Sequence, residues 1–559
     1  MPRRVYARPG SEGDAVLITS KVVIGETSKA DRSDLAQSPE MDLAEVPAAN
    51  DCANELKELR LPRFFLPGIE CDSPLAGRLT DKLAGLAQVI MTAGQSKERN
   101  GWRRMVAGTT LQWYGSSGPQ VEPDETRAEV MIDLRGLDVG GFGRIWRVVD
   151  AAGDCVLTPF FAIGRCYRPE SMVSLFLIES VDGGATWAVL GTAHLSGLQT
   201  YHRLLEGVGN AVASLIAAGI GSGLARLPWQ SEGSGFSGTV ARLGYHTRHS
   251  MSLLRNYLTC ELWGIGVLDA KPEEVLAGIP AKVTNWIEIP ERDGYVADPF
   301  SWPGRPNVIL CERFTHSTGR GTLQALTMQD GRIVRTEDVS LEIETHLSYP
   351  FSWFESGSVY CLPEMGPCRR QVMYELTPDA PPRPVCVVAE NIEMADPTLF
   401  QHGGLYWIAY TDGDIGLYDN LCLLWAERLE GPWQRHGGNP VKIDVRSSRG
   451  AGGLFLSGGS LIRPAQNCTR SYGGSLVLNR VLECSTIAYR EEPIATLLPD
   501  LTGRFPDGLH TLSICNDMIL IDGRRHIVDL NVLWQRIRRR LGKLAVRPAR
   551  YLRSWSPSL

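Results

Sequence analysis

Two aspartates in one short motif are the residues of this sequence best placed to do chemistry together. Asp298 and Asp396 each stand in the tripeptide Ala-Asp-Pro at the head of an apolar segment. If a repeat brings them across a channel, one can act as an ionised general base while the other tunes its pKa or position. Asp-Pro also caps turns and starts strands, which is the structural alternative. Its occurrence at two matching positions favours a functional role.

Two glutamates and a histidine belong to the same pattern. Glu312 and Glu364 end apolar strands, where each could be a general acid or bind hydroxyl groups of a ligand. Each could instead pair with a neighbouring arginine. His346, in the segment HLSYPF, could hydrogen-bond a hydroxyl group or position a carboxylate, or it could be a purely structural histidine.

A third group of candidates lies around the segment RGAGGLFLSGGSLIRPAQ. Arg449 and Arg463 could hold a phosphate or carboxylate group between them, with Gln466 beside them. The alternative is that both arginines pair with carboxylates of the fold. Tyr472 and the two glycines after it are expected to form a loop over the channel mouth.

One short acidic motif raises the question of a metal ion. Asp412 and Asp414 flank a glycine directly after an apolar strand, an arrangement that can hold a divalent metal and a nucleotide diphosphate. A Gly between two Asp residues is usually a turn. We therefore assign no metal ligand, and keep one cofactor hypothesis, a divalent metal ion bound together with a sugar nucleotide.

A repeat in the second half of the chain must position these residues. Four stretches that begin at Asp298, Tyr349, Asp396 and Gly452 share one design, and a fifth from Leu509 echoes it. Each is an apolar strand, a Gly or Asn turn and a second apolar strand, and they start roughly 50 residues apart, the period of propeller blades. A propeller over 291–530 would gather polar strand ends into a ring, a natural place to bind a sugar. Those strand ends are Glu312, Glu364, Asp412, Gln466 and Asp522.

The rest of the chain predicts a multidomain protein, because 559 residues exceed one ordinary domain. Residues 1–50 are polar and lack periodicity, which predicts a flexible tail. Residues 51–290 alternate strand-like and helical patterns, which predicts an α/β domain. Residues 531–559 contain eight basic and no acidic residues, with Leu and Ile at helical spacing. This basic amphipathic helix could lie on an anionic membrane surface or dock on the body of the protein.

Composition narrows the setting of the protein. The net charge of −6 gives no reason to expect nucleic acid as a partner. The 13 cysteines form no CxxC pair and indicate reduced thiols. The sequence starts without an apolar signal segment and contains no run of 18 apolar residues. We expect a cytoplasmic protein, peripheral on the inner membrane through its C-terminal helix.

Several motifs in combination resemble a known family. ADPF, HLSYPF, ADPTLF, GPWQRHGGNPV and RGAGGLF are similar to the N-terminal domain of plant glucosamine inositolphosphorylceramide transferases, over about 290–500. The resemblance implies a five-bladed propeller similar to family 43 glycoside hydrolases. By position, Asp298 would match the base of those hydrolases and Asp396 the pKa modulator. Bacterial members often carry a formyltransferase-like domain upstream. Residues 51–290 would be at most a degenerate copy of it, so no formyl transfer is assigned.

The sequence departs from the hydrolases in its fourth blade. The strand RGAGGLFL has no carboxylate where their general acid stands. Expelling an alkoxide without an acid is difficult, whereas a phosphate leaving group needs less protonation. The missing acid therefore favours glycosyl transfer, with Arg449 and Arg463 holding the anion, although Glu364 or Glu312 could still supply an acid.

Three functional hypotheses follow. The first is a glycosyltransferase of cell-surface polysaccharide or glycolipid biosynthesis, in which Asp298 deprotonates a hydroxyl of a glycan or lipid-linked acceptor while a sugar donor reacts. The second is a family-43-like hydrolase that uses Asp298, Asp396 and Glu364. The third is a propeller that binds glycans without catalysis.

Overall fold

The structure is a computed structural model in which strands greatly outnumber helices. It describes residues 15–18, 63–66, 88–92, 130–134, 143–156, 172–197, 201–221, 227–231, 258–268, 270–276, 283–287, 289, 293–515, 518–530, 533–534 and 538. Nearly all of the predicted C-terminal helix, 531–559, lies outside these residues. Most of the predicted tail, 1–50, also lies outside them, although a short strand is placed within it.

Contacts divide the chain into two compact units. The smaller unit comprises 1–149, 177–191 and 215–230, and the larger comprises 150–176, 192–214 and 231–559. In the part of the chain that is described, no helix is both long and apolar enough to cross a membrane.

One mixed sheet contains the first eight strands, in the order β1-β3-β2-β4-β5-β6-β7-β8. Strand β2 runs parallel to β3 and β4, and β4 runs parallel to β5. These strands are β1 Ala15–Ile18, β2 Arg63–Leu66, β3 Gln88–Thr92, β4 Val130–Asp133, β5 Ile145–Asp150, β6 Met172–Ser180, β7 Ala188–Ser196 and β8 Leu227–Pro228. Helix α1, Tyr201–Gly221, follows β7 and buries an apolar stripe that includes Leu204, Val208 and Val212.

Antiparallel sheets make up the rest of the described chain, and four of them follow one another in sequence. Sheet I contains β11 Gly294–Trp302, β12 Arg305–Thr315, β13 Arg320–Gln329 and β14 Arg332–Asp338. Sheet II contains β15 Ser348–Glu355, β16 Ser358–Glu364, β17 Arg370–Leu376 and β18 Arg383–Glu390. Sheet III contains β19 Met394–His402, β20 Leu405–Asp412, β21 Asn420–Ala426, β22 Gln434–Arg435 and β23 Lys442–Ile443. Sheet IV contains β24 Phe455–Ser457, β25 Ser460–Asn467, β26 Ser475–Cys484 and β27 Tyr489–Leu497.

Sheet V takes its strands from two distant parts of the chain. Its order is β10-β9-β29-β28, with β9 Cys260–Leu268, β10 Val283–Ile287, β28 Leu512–Cys515 and β29 Met518–Ile527. Strands β9 and β29 are paired at nine positions, and the short helix α2, Pro272–Leu276, lies between β9 and β10 in sequence. Sheet V therefore joins strands from both sides of the domain boundary that the sequence predicts at residue 290. The apolar runs of β9 and β10 do not reveal this partner, because a strand sequence does not specify its neighbour across 250 or so residues.

The five predicted repeats are confirmed as hairpins. Each repeat supplies one antiparallel pair, namely β11–β12, β15–β16, β19–β20, β24–β25 and β28–β29. Alternating apolar residues of sheets I to III bury into one shared core, which includes Phe300, Leu362 and Ile408. Sheets IV and V share a second core around Leu478 and Ile519. The hairpins thus hold the first strand of each sheet at a defined place next to its neighbours.

Candidate active site

The backbone is distorted at the same point in three neighbouring sheets. Asp298, Tyr349 and Asp396 each precede a proline and adopt positive φ angles of 51°, 47° and 48°. The pairing of each first strand with its second shifts register at this point. Such bulges re-aim side chains, and a non-glycine residue held at positive φ costs about 1–3 kcal/mol. Strain at three equivalent positions points to a site that the fold keeps at an energetic cost.

The first half of the site surrounds Asp298, which is only 5% exposed. Its Oδ1 accepts a hydrogen bond from Thr511 Oγ1 at 2.8 Å, and its Oδ2 accepts one from the Tyr349 amide at 3.2 Å. His510 Nε2 lies 3.4 Å from Oδ1. Burial raises the pKa of Asp298, and the nearby His510 charge opposes that shift. The carboxyl group is therefore fixed in place by residues of sheets II and V.

Asp522 stands behind His510 in the same half of the site. Its carboxylate is fully buried and accepts hydrogen bonds from the backbone amides of Asp298, His510 and Thr511, at 2.9–3.0 Å. Its Oδ2 lies 2.5 Å from His510 Nδ1. Burial of the imidazole disfavours its protonation, but the charges of Asp522 and Asp298 outweigh burial and raise the pKa of His510.

The second half of the site surrounds Asp396, which is 3% exposed. Its Oδ2 accepts hydrogen bonds from Arg449 Nε at 2.7 Å and from Gln466 Nε2 at 3.1 Å. The Asp396 amide donates to Glu364 Oε2 at 3.0 Å, and Arg449 Nη2 lies 3.9 Å from that oxygen. Burial outweighs the charge of Arg449 and, with Glu364, raises the pKa of Asp396 to about 7.

Tyr349 connects the two halves. Its amide binds Asp298, while its hydroxyl lies 2.8 Å from Thr398 Oγ1 and accepts a hydrogen bond from the Gly452 amide at 2.6 Å. Gly452 has a φ of 127°, and a Cβ there would lie 1.8 Å from the Leu512 carbonyl oxygen. Sheets II, III and IV therefore meet at the Tyr349 hydroxyl group. Position 452 must be glycine, because a side chain there would clash with the Leu512 carbonyl oxygen.

Glu312 and His346 form a separate polar pair at this site. Glu312 is 6% exposed, and among the described residues its Oε1 has no hydrogen-bond partner. The Gly321 amide donates to His346 Nδ1 at 2.9 Å, so the proton of a neutral ring is on Nε2, which lies 3.6 Å from Glu312 Oε1. Burial and then the carboxylate of Asp298 raise the pKa of Glu312 well above its usual range, while burial lowers the pKa of His346. Glu312 therefore holds a proton more tightly than an exposed glutamate does.

The two predicted arginines are placed differently from each other. Arg449 lies in the site as the charge partner of Asp396, and its guanidinium stacks 4.9 Å from the ring of Tyr472. Arg463 is 1% exposed and donates to Glu491 and to the carbonyl oxygens of Ser447 and Ser448. The geometry does not support anion binding by Arg463, because a buried ion pair and two carbonyl groups take up its donors. The structural alternative describes its contacts better.

Tyr472 is partly exposed and lies against the site. Its ring meets His510 edge-on at 5.3 Å and Tyr418 at 5.9 Å. Burial, opposed by the charge of Arg449, raises the pKa of Tyr472 well above its usual range. A neutral phenol beside these rings could stack on a sugar and donate a hydrogen bond to one of its hydroxyl groups.

The Asp-Gly-Asp motif forms a turn. Asp412 Oδ1 accepts a hydrogen bond from the Asp414 amide at 3.0 Å, while the Asp414 carboxylate makes two hydrogen bonds to Arg369, at 2.8 and 2.6 Å. An aspartate that is engaged by a guanidinium fits a metal ion poorly. Within the described ranges, ligand atoms of three such residues come within 4.8 Å of one another only at Asp298, His510 and Asp522. There the His510 ring already lies between the two carboxylates, so we assign no metal ligand.

Sequence reasoning missed His510, Thr511 and the role of Asp522. The available signal was the fifth repeat, LHTLSIC, in which His510 and Thr511 precede the first strand of sheet V. Trp263 was missed as well; its ring stacks on His510 with centroids 4.0 Å apart, and it comes from β9, far earlier in the chain.

Part of this site lies in a segment that matches a known protein family. Residues 284–502 match the family model of the glucosamine inositolphosphorylceramide transferase 1 N-terminal domain. The resemblance that the sequence motifs indicated is confirmed. The matched residues include Asp298, Asp396, Glu312 and Arg449, and they end before His510 and Asp522.

Proteins of that name are also similar in direct comparison. Glucosamine inositolphosphorylceramide transferase 1 of Oryza sativa subsp. indica is 29% identical over 207 residues, which cover 36% of this chain and 28% of the rice protein. The Arabidopsis thaliana protein is 28% identical over 208 residues, covering 35% and 27%. The chain thus spans less than a third of these relatives, so their named activity does not pass to this chain by similarity alone.

Solved structures give a weaker likeness. The Bacteroides ovatus xyloglucan PUL GH43B is matched with a TM-score of 0.29 and 14% identity, over 40% of this chain and 51% of that chain. A Penicillium chrysogenum α-L-arabinanase complexed with arabinobiose is matched with a TM-score of 0.28 and 14% identity, over 45% and 76%. At such scores the likeness supports no conclusion about ligand or activity.

Proposed function

We propose that this protein is a carbohydrate-active enzyme that takes part in glycosyl transfer, with Asp298 as the general base for a sugar hydroxyl. The observation that carries the proposal is the convergence of Asp298 and Asp396, both buried and both held at positive φ, on one hydrogen-bonded cluster. The likeness to proteins named as transferases supports transfer as the class of reaction.

The chemistry follows from the two different surroundings. Two hydrogen bonds and His510 hold the Asp298 carboxylate, and its remaining lone pairs can accept a proton from a hydroxyl group. Asp396 is paired with Arg449 and provides charge and position. Tyr472, above Arg449, offers a ring face for the sugar. The acceptor is proposed to be a glycan or lipid-linked sugar, and the donor an activated sugar.

The fold supports this site if the five sheets are blades of one ring. We infer a five-bladed propeller, because polar contacts join sheet I to sheets II and V, and sheet III to sheets II and IV. The Leu512 amide donates to the Ala451 carbonyl oxygen and thereby joins sheet IV to sheet V. A chain truncated before Leu509 lacks β28 and β29, so the cooperative unfolding transition of the full chain should be lost. If the truncated chain unfolds like the full chain, the sheets do not close into a ring.

The proposed function is tested by ligand-dependent stability and turnover. The full chain is screened by thermal shift against sugar nucleotides and glycans, and hits are assayed for sugar transfer to extracted lipids. A ligand at 100 times its Kd stabilises the protein by about 2.7 kcal/mol. Asp298→Asn should bind but lose turnover, while Arg369→Ala, remote in its contacts with Asp414, should retain both. If Asp298→Asn retains full turnover, Asp298 is not the base.

Glu312 favours hydrolysis as a second candidate. Glu312 in sheet I could serve as the acid that the fourth repeat lacks, because its carboxyl group is buried and, among the described residues, its Oε1 has no hydrogen-bond partner. An acid and a base in one site could hydrolyse a glycosidic bond with inversion of configuration. Glu312→Gln should then lose activity on poor leaving groups and retain it on activated aryl glycosides. Equal losses on both would count against Glu312 as the acid.

The C-terminal segment is proposed to hold the protein near a lipid-linked acceptor. Its eight basic residues would attract an anionic bilayer. We therefore keep the proposal of a cytoplasmic, peripheral location at the inner membrane. Deletion of 531–559 should abolish binding to vesicles that contain anionic lipid. Unchanged binding after deletion would contradict this part of the proposal.

A further inference from the structure

We propose that His510, oriented by Asp522, is the positioning residue that keeps Asp298 ionised: the imidazolium stays beside the carboxylate and sets the lowest pH at which Asp298 can accept a proton. The inference rests on the proposed role of Asp298 as a base. It concerns residues that lie outside the family match, which ends at 502.

Asp522 orients His510 and is itself fixed by the backbone. Its two oxygens accept three backbone N–H groups, from Asp298, His510 and Thr511. Amide donors can only donate, so they stabilise the carboxylate and not the protonated acid. The nearest cation to this buried anion is the His510 ring, with Nδ1 2.5 Å from Oδ2. Asp522 therefore favours a proton on Nδ1.

The ring of His510 has little freedom to turn away. Trp263 stacks on one side with centroids 4.0 Å apart, and Tyr472 meets it edge-on at 5.3 Å. A Cβ on Gly473 would lie 2.6 Å from the Cβ of His510, so the backbone also closes around it. His510 is buried, and both of its ring nitrogens face carboxylates, which defines its role as a positioning one.

Nε2 faces Asp298 because Nδ1 faces Asp522. It lies 3.4 Å from Oδ1, the oxygen that also accepts the Thr511 hydroxyl. The charges that most strongly favour a protonated His510 are those of Asp522 on β29, Asp298 on β11 and Asp396 on β19. Two cations, Arg449 and Arg524, lie against the Tyr472 and Trp263 rings that pack on His510. A positive ring is thus stabilised from three strands, and its charge opposes the burial that raises the pKa of Asp298.

The proton balance is simple. In the resting pair Asp298 is anionic and His510 carries protons on both ring nitrogens. When an acceptor hydroxyl reacts, its O–H bond breaks, an O–H bond forms on Asp298, and the oxygen bonds to the sugar of the donor as the donor's leaving group departs. His510 keeps its protons throughout. Asp298 then releases its proton to solvent and the pair returns to its first state.

Histidine-specific ¹⁵N NMR on the full chain tests the ground state without any substrate. The His510 signals, identified by their loss in His510→Gln, should show an imidazolium at pH 7. They should move to a lower titration midpoint in Asp522→Asn. EDTA is present in every sample, so that a metal ion on these three side chains does not alter the signals. A neutral His510 ring in the wild-type chain at pH 6 would overturn the proposal.

The pH profile of turnover tests the consequence. In His510→Gln the acidic limb of the profile should move to higher pH by about 1–3 units, because Asp298 loses one close opposite charge. His526→Gln is the matched control, because His526 is also on β29 but contacts Asp507. It should leave the limb in place. A His510→Gln profile that only decreases in height would assign His510 a structural role and overturn the proposal.

The two proposals fail in distinguishable ways. If no sugar ligand or turnover is found in any variant while His510 is an imidazolium, the proposed function fails and the ion pair stands. If turnover depends on Asp298 but the ring is neutral, the function stands and this inference fails. His510→Gln serves the second outcome only to identify the signals, and their change in Asp522→Asn identifies them independently, so a folding defect in His510→Gln does not protect the proposal.

Discussion

Asp298 and Asp396 occupy matching positions in two repeats, but their charged partners differ. Both precede proline, both have positive φ and both are buried. Asp298 shares its surroundings with His510 and Asp522 from sheet V, so its cation is a residue that can lose a proton. Asp396 is bound by Arg449 from sheet IV, a cation that keeps its charge at every relevant pH.

The difference shows how a repeat can give two carboxyl groups different surroundings within one backbone geometry. The strand, the bulge and the proline fix where each carboxyl group lies. The neighbouring sheet then decides its proton affinity and its hydrogen bonds. We therefore expect the Asp396 half to contribute mainly stability and the Asp298 half mainly chemistry.

The largest effect on stability is expected from removing the permanent cation. Arg449→Met leaves Asp396 buried without its partner, which costs about 3–5 kcal/mol in the free energy of unfolding. Urea denaturation measures it. Arg369→Ala is the control, since its ion pair with Asp414 is about half exposed, and the cost there should stay below about 1 kcal/mol. Equal costs would show that the Asp396 pair does not hold the site together.

Exchanging each aspartate for asparagine separates the two roles. Asp298→Asn should reduce turnover by about 10²–10⁴-fold, as expected for a lost general base. Asp396→Asn retains hydrogen-bonding atoms beside Arg449 and should reduce turnover less. The two kcat values, measured with one donor and one acceptor, decide the matter. Equal losses in both variants would end the distinction between the halves.

Removing the Tyr349 hydroxyl group, which connects the two halves, should have an intermediate effect on stability. Tyr349→Phe removes the hydroxyl that accepts the Gly452 amide and contacts Thr398. A buried N–H left unpaired costs about 1–3 kcal/mol. Tyr360→Phe, on β16 of the same sheet, is the control and should have a smaller effect. The result is read from thermal unfolding of the three chains.

A further expected effect is on the pH dependence of stability. Burial raises the pKa of Asp396 to about 7, so the folded state holds its proton more tightly than the unfolded state does. Stability should therefore decrease as pH rises from about 4 to about 7 and level off above. Glu491 behaves oppositely: Arg463 and Lys442 outweigh burial and lower its pKa to about 2, so its stabilisation is lost as pH falls from about 4 to about 2.

Asp396→Asn isolates that contribution. Its unfolding free energy should change less between pH 4 and pH 7 than that of the wild-type chain. A slope unchanged by the substitution would mean that Asp396 remains ionised beside Arg449 throughout this range.

Local patterns in the sequence were sufficient to predict the hairpins and half of the site. The turns between apolar strands predicted five hairpins, and the two Ala-Asp-Pro motifs predicted two matching carboxyl groups. These features depend on short stretches of chain, where strand alternation and turn residues act directly. Glu312 was also identified as an acid candidate from its position at a strand end.

The remaining features depend on pairing between distant residues. The partner of β29 is β9, and the partner of Arg463 is Glu491 in a later strand, neither of which a local pattern specifies. The sequence predicted that Arg463 holds an anion, because the residues around an arginine near a glycine turn do not indicate whether it is exposed or buried. His510 was missed because Trp263 and Asp298, which define its surroundings, come from other sheets.

Sheet V can form only late in synthesis, because its two central strands are far apart in the sequence. A chain leaving the ribosome exposes β9 more than 240 residues before its partner β29 is synthesised. Until then Asp298 lacks Thr511, His510 and the anchor of its own amide, Asp522. The proposed base is thus assembled last, so a nascent or interrupted chain would carry the Ala-Asp-Pro motif without the surroundings that make it reactive. Strand order alone would therefore delay completion of the proposed site until β29 has been made.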